Sequence, residues 1–160
     1  MNSGATEKFA VLARSYCSWA EGTPESPKQE AIRALSLLTE LYGCALTLPE
    51  VFEDGEVETI SHEDYALVLK RFGALPFNFY ANCFDPLAVP VEQPVVADLA
   101  DDLADIWRDL KKGLSLFDAG HHVAAAWDWR FAFHTHWGRH AAAALHPLHC
   151  WLAQNVGDLR

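Results

Sequence analysis

The chain has 160 residues, 51% hydrophobic and 21% charged, which fits one globular domain with a sizeable core. Its formal charge is −10, from 22 acidic and 12 basic residues. That balance excludes duplex DNA or RNA as a partner, because phosphate binding needs a basic patch, and argues equally against an anionic membrane surface.

Helical periodicity dominates from the start. Phe9, Leu12, Tyr16 and Trp19 recur at three- and four-residue spacing and predict a first helix over about residues 5–20, after a disordered tail at 1–4. Ser26-Pro27-Lys28-Gln29 offers an N-cap, a proline at the first helical position and a capping-box glutamine. The helix it opens runs to about Leu46, with Ala31, Leu35, Leu38, Tyr42 and Ala45 as its inner face. Residues 49–60 are acidic and read as a loop, and Ser61 caps a third helix reaching about Phe72. Pro76 opens a short aromatic helix carrying Phe77, Phe79, Tyr80 and Phe84, which Pro86, Pro90 and Pro94 end in a linker.

From Val95 a long helix is expected to run to Phe117, its core face Leu99, Leu103, Ile106, Leu110, Leu114 and Phe117. Gly120 stops it, and a second long helix starts near His121, so the two form an antiparallel hairpin. Pro147 is expected to break that helix, leaving Leu148–Val156 as a short last one. The predicted fold is all-α: residues 1–160 as a single-domain bundle of about six helices with a long C-terminal helical hairpin.

Cys17, Cys44, Cys83 and Cys150 are far apart, without a C-x-x-C pair, and read as reduced, buried structural thiols. The N-terminus lacks a basic segment followed by an apolar one, so no signal peptide is expected. No apolar run approaches the roughly 18 residues of a membrane span. These features predict a cytoplasmic protein.

The chemistry concentrates in the hairpin. On a wheel of about 100° per residue, Asp98, Asp102, Asp105 and Asp109 form one stripe bordering the leucine face. On the next helix, Trp127, Phe131 and His134 make one edge of an apolar arc, and Trp129, Phe133, His136 and His140 the other. Arg130, Trp137 and Ala141 lie between them, while Asp128, Thr135 and Arg139 face solvent. A guanidinium in an apolar arc needs a partner, and Asp102 or Asp105 is the expected one. His136 and His140 stand four residues apart, a spacing at which two imidazoles can chelate a transition metal, with a third ligand from the Asp stripe, His62 or His149. Phosphate-loop and nucleophile-elbow motifs are missing from the sequence.

The series Asp98-Leu-Ala-Asp-Asp-Leu-Ala-Asp-Ile-Trp-Arg-Asp-Leu, followed by Trp127-x-Trp-Arg130 and His136-Trp-Gly-Arg-His140, resembles a bacterial family of small helical proteins catalogued as a domain of unknown function. The resemblance implies an all-α cytoplasmic protein and draws Asp102, Asp105, Asp109, Trp129, Arg130, His136, Trp137 and His140 together as one unit. The histidine string is also similar to the metal-binding helix of DinB-like four-helix proteins. Those pair a late H-x-x-x-H with an early histidine, for which His62 is the candidate here.

Two functional expectations follow. The first is a non-catalytic binding module without a cofactor, acting through a small ligand or a protein partner, a basic one such as a toxin being a concrete version. The second is a metal-dependent hydrolase or transferase in which His136 and His140 hold a transition metal such as zinc.

Overall fold

The computed structural model describes residues 3–157. Six helices carry the fold: α1 (Ser3–Glu21), α2 (Pro27–Ala45), α3 (His62–Arg71), α4 (Leu99–Asp118), α5 (His122–Ala132) and α6 (Gly138–Asn155). Two short strands, β1 (Phe79–Asn82) and β2 (Val95–Asp98), pair antiparallel between α3 and α4. The chain is therefore mostly α-helical, as its periodicity predicts. No helix among the described residues is long and apolar enough to cross a membrane.

Helix α4 is the hub and packs against α1, α3, α5 and α6, while α2 packs on α1 and α6. Its leucine face, Leu99, Leu103, Ile106, Leu110 and Leu114, is buried as predicted, and Phe117 lies at the margin. Tyr16 of α1 donates to the Leu103 carbonyl at 2.8 Å inside this core. On α2 the buried face is rotated from the predicted one: Ala34, Leu37, Leu41 and Cys44 join Ala31, Leu38 and Ala45, while Leu35 and Tyr42 are only half-buried. Cys83 and Cys150 are exposed, against the expectation of four buried thiols.

The segment after Pro76 is a strand and not a helix. Four residues with alternating exposure, Phe79 to Asn82, pair with Val95 to Asp98, so the proline-rich stretch between them is the connection of a hairpin. Helix α4 accordingly starts at Leu99. Asp98 caps it by accepting from the Asp101 amide at 3.1 Å, and Asn78 accepts the Leu99 and Ala100 amides at 2.8 and 3.0 Å. Of the tail predicted at 1–4, Ser3 and Gly4 already belong to α1, and Met1 and Asn2 lie outside the described residues.

Helix α6 runs through Pro147 without the predicted break. A proline inside a helix costs about 3 kcal/mol, and burial of Ala141, Ala144 and Leu148 on either side of it, in a helix packed on α2 and α4, offsets that cost. The acidic segment 49–60 is a loop as predicted, strapped over the α4–α5 hairpin. Phe52 packs edge-on against Trp127, and a Cβ at Gly55 would lie 2.9 Å from Leu116 Cδ2.

Candidate functional site

Helices α5 and α6 are joined by one π-helical turn, Phe133–Trp137, and this turn sets the geometry of the site. The Gly138 amide donates to the Phe133 carbonyl five residues back, and a Cβ at 138 would lie 2.4 Å from that oxygen. Only glycine fits there. The extra residue in the turn brings Trp129, Phe133, Trp137 and Ala141 onto one buried line. Trp129 donates to the Leu110 carbonyl at 3.1 Å and lies against Gly113, where a Cβ would fall 2.1 Å from its Nε1. Trp137 donates to the Trp129 carbonyl at 3.2 Å. Both tryptophans belong to the core beneath the site. Trp127 is half-buried, and Phe131 and His134 are exposed.

The expected pairing of Arg130 with Asp102 or Asp105 does not form. Arg130 leaves the apolar arc and donates to Glu50 of the loop at 3.2 Å, an exposed carboxylate. The carboxylates of α4 meet the histidines instead. His136 donates from Nδ1 to Asp109 Oδ2 at 2.6 Å, and His140 from Nδ1 to Asp102 Oδ1 at 2.7 Å. An ionised carboxylate only accepts, so both Nδ1 atoms carry protons, and in the neutral imidazoles both Nε2 atoms present lone pairs.

Those two Nε2 atoms face each other at 3.3 Å, and Asp105 Oδ2 lies 3.5 Å from that of His140 and 3.8 Å from that of His136. The three side chains converge on one point. Asp102 and Asp109 are each 7% exposed, while the His136 side chain is 39% exposed and opens the cluster outward.

The surrounding residues fix the carboxylates in turn. Asp105 Oδ1 accepts from Arg108 at 2.6 Å and from the Tyr65 hydroxyl at 3.1 Å, leaving Oδ2 toward the histidines. Tyr80 of β1 donates to Asp102 Oδ2. Burial and the neighbouring carboxylates push both phenols well above their usual range, so they stay donors. For His140, burial opposes protonation, but the hydrogen bond to Asp102 and the fields of Asp102, Asp105 and Asp101 outweigh it and raise its pKa. Of Asp102, Asp105 and Asp109 only Asp105 meets a guanidinium, that of Arg108, which leaves two formal negative charges on this set when the imidazoles are neutral.

A cleft of about 530 Å³ opens beside His136, lined on α4 by Arg108, Asp109 and Lys112. Asp128, expected to face solvent, lines it too, with Oδ2 buried and without a hydrogen-bond partner among the described residues. Burial, reinforced by the charge of Asp109 and opposed by Lys112, pushes its acid up to about 6. His62 lines the cleft but does not join the converging atoms, and His149 is exposed. The third converging atom belongs to Asp105 and not to an early histidine, so the DinB-like similarity is not shown.

Of the residues singled out from sequence, Asp102, Asp105, Asp109, His136 and His140 come together, Trp129 and Trp137 support them, and Arg130 stands apart. Tyr65, Tyr80 and Arg108 were not foreseen. The spacing of Asp105 and Arg108 on one helix is a signal for the last, and the period-two pattern of β1 is one for Tyr80.

The chain matches, over residues 1–154, the family described as "Domain of unknown function (DUF5063)". Among solved structures it is similar to protein BF1032 from Bacteroides fragilis, with a TM-score of 0.75 and 20% identity over 96% of this chain and 94% of that one. At that identity the likeness shows the fold alone. No curated protein matches the chain.

Proposed function

This chain belongs to the DUF5063 family, a domain of unknown function, and from that premise we propose that it is a metal-dependent hydrolase with one transition metal of the zinc type. His136 and His140 would bind it through Nε2 and Asp105 through Oδ2. The single observation that carries the reading is the convergence of those three atoms while both Nδ1 atoms are already held by carboxylates.

Elementary geometry supports it. Tetrahedral zinc with bonds of about 2.0–2.1 Å places neighbouring ligand atoms about 3.3–3.4 Å apart. Separations of 3.3, 3.5 and 3.8 Å need only a small closing movement to reach that value. Metal-bound histidines characteristically donate their other ring N–H to a carboxylate, which fixes the tautomer and raises ligand basicity. Asp109 and Asp102 stand in that role. The two unbalanced negative charges favour a divalent cation at the same point.

Three protein ligands would leave room for water or substrate on a metal held there, and the exposed side of His136 opens the cluster outward. A metal held by His136, His140 and Asp105 would supply Lewis acidity for hydrolysis at neutral pH. Hydrolysis is the simplest reaction such a site performs. The free thiols favour a reducing, cytoplasmic setting.

A second reading, the non-catalytic interaction module, draws support from the charge of −10 and from Leu87, Val89 and Val91, which are 83–94% exposed in the β1–β2 connection. Elemental analysis of untagged protein purified without chelators separates the two. The hydrolase reading expects near-stoichiometric zinc, manganese, iron or nickel that is lost in His136→Ala/His140→Ala. Metal-free protein that also fails to take up zinc on dialysis rejects it.

A further inference from the structure

We infer that the exposed apolar surface of the β1–β2 hairpin is an interface between two copies of this chain, which pack it against itself about a two-fold axis. The inference stands apart from the metal site and holds whether or not a metal binds.

Strand alternation builds this surface. Tyr80 points inward to Asp102, so Phe79 and Ala81 point outward, and the register sets Val96 beside Ala81 on the same outer side. Phe79 and Val96 are 70% and 78% exposed, and Leu87, Val89 and Val91 of the connection are 83–94% exposed. The hairpin is nonetheless tied to the body of the fold. Asn78 accepts the first amides of α4, Tyr80 donates to Asp102, and the Arg139 guanidinium lies 4.9 Å from the centre of the Phe84 ring. Pro86, Pro90 and Pro94 stiffen the connection, so its apolar groups are presented at a reduced entropy cost. A sheet of two strands is by itself marginal in water, and each strand here has only the other as a neighbour.

Area and charge argue for a second copy as the occupant. With Phe84 and Val95 the exposed large apolar side chains of the hairpin number seven. At on the order of 100 Å² apiece they offer roughly 700 Å², close to the ~800 Å² that each partner contributes to a stable interface. Of residues 79–97 only Asp85 and Glu92 are charged, whereas the whole chain carries −10. A basic partner would find almost nothing to pair with on this surface. A second copy is repelled by the acidic surface elsewhere and meets the least repulsion here. Interfaces between identical subunits are also the more apolar class, and a two-fold contact needs no second surface because one patch supplies both halves.

The experiment is sedimentation velocity of untagged protein in chelator, over a concentration series, for wild type and two double variants. Leu87→Glu/Val91→Glu places two like charges on the proposed interface of each copy. Val11→Glu/Leu46→Glu changes the net charge equally at two residues that are each 65% exposed on other elements, α1 and the end of α2. All four residues are exposed, so both variants should keep the wild-type circular dichroism spectrum. Expected is a wild-type dimer with a Kd of about 10 µM or tighter. The hairpin variant should weaken it about 100-fold or more, and the control variant should leave it within about threefold. A wild type that stays monomeric up to about 100 µM overturns the inference and leaves the surface to a partner other than this chain. A dimer that the hairpin variant does not weaken, or that the control weakens as much, overturns it as well.

Discussion

Two polar clusters border the core, and they are built to opposite rules. At the α1–α2–α3 end, Arg71 grips Glu30 with two guanidinium nitrogens and donates from Nε to the Gly22 carbonyl. Trp19 Nε1 and the Glu25 amide complete the Glu30 carboxylate at 3.1 and 2.9 Å. Burial alone would raise the Glu30 acid, but these donors outweigh it and hold it below the usual range. Charges cancel and every lone pair is used. At the hairpin, carboxylates outnumber the cation, two imidazole Nε2 atoms face each other at 3.3 Å, and one side is open. A closed, neutral network explains itself through the fold. An open, unbalanced one does not, and the proposed metal would balance it.

The comparison is broken most severely at its closed end. Arg71→Met leaves a buried, unpaired Glu30 carboxylate and should cost about 3–5 kcal/mol in denaturant unfolding, whereas His136→Ala/His140→Ala should cost less in chelated protein, because Asp102 keeps the Tyr80 hydroxyl and the His136 side of the cluster is open to water. Equal losses would mean that the hairpin cluster is structural too.

At the open end, Asp102→Asn and Asp109→Asn remove the carboxylates that orient the histidines. Each should weaken zinc about 10- to 100-fold in a chelator competition while leaving the helical circular dichroism spectrum intact. Zinc affinity indifferent to both would remove their orienting role.

The next effect is smaller and concerns pH. Asp128 is harder to ionise in the folded chain, with its acid near 6, than in the unfolded chain, so the folded state binds the extra proton. Its contribution is complete below about pH 4 and is lost as pH rises through about 6. Asp128→Asn removes that loss and should gain about 1 kcal/mol at pH 7.5 relative to pH 4.5, allowing for partial solvent exposure. Parallel stability curves for the two proteins would contradict it.

Smallest is Arg130→Ala. Its partner Glu50 is exposed, so the cost should be about 0.5 kcal/mol or less in a thermal melt, and not the several kcal/mol of a buried pair.

Much of this was legible in the residues. The stripe at Asp102, Asp105 and Asp109 and the pair at His136 and His140 lie on helices that a short turn makes antiparallel, so the later aspartate meets the earlier histidine. Arg130 was misplaced because an ideal wheel drifts about 40° with every four-residue step. Over Trp129, Phe133, Trp137 and Ala141 that drift accumulates and centres the arc on Arg130. The π-helical turn takes it back, and its signal, a glycine at 138, reads equally well as a close approach by another element. The β1–β2 pair escaped because strands of four residues, separated by prolines, carry too short an alternation to compete with an aromatic helix.

X-ray absorption at the zinc edge of the zinc-loaded protein tests the central claim most directly. The account predicts four-coordinate zinc with two imidazole nitrogens and oxygen ligands at about 2.0–2.2 Å, and loss of the imidazole scattering in His136→Ala/His140→Ala. A shell of oxygens alone, or a spectrum unchanged in that variant, would contradict it.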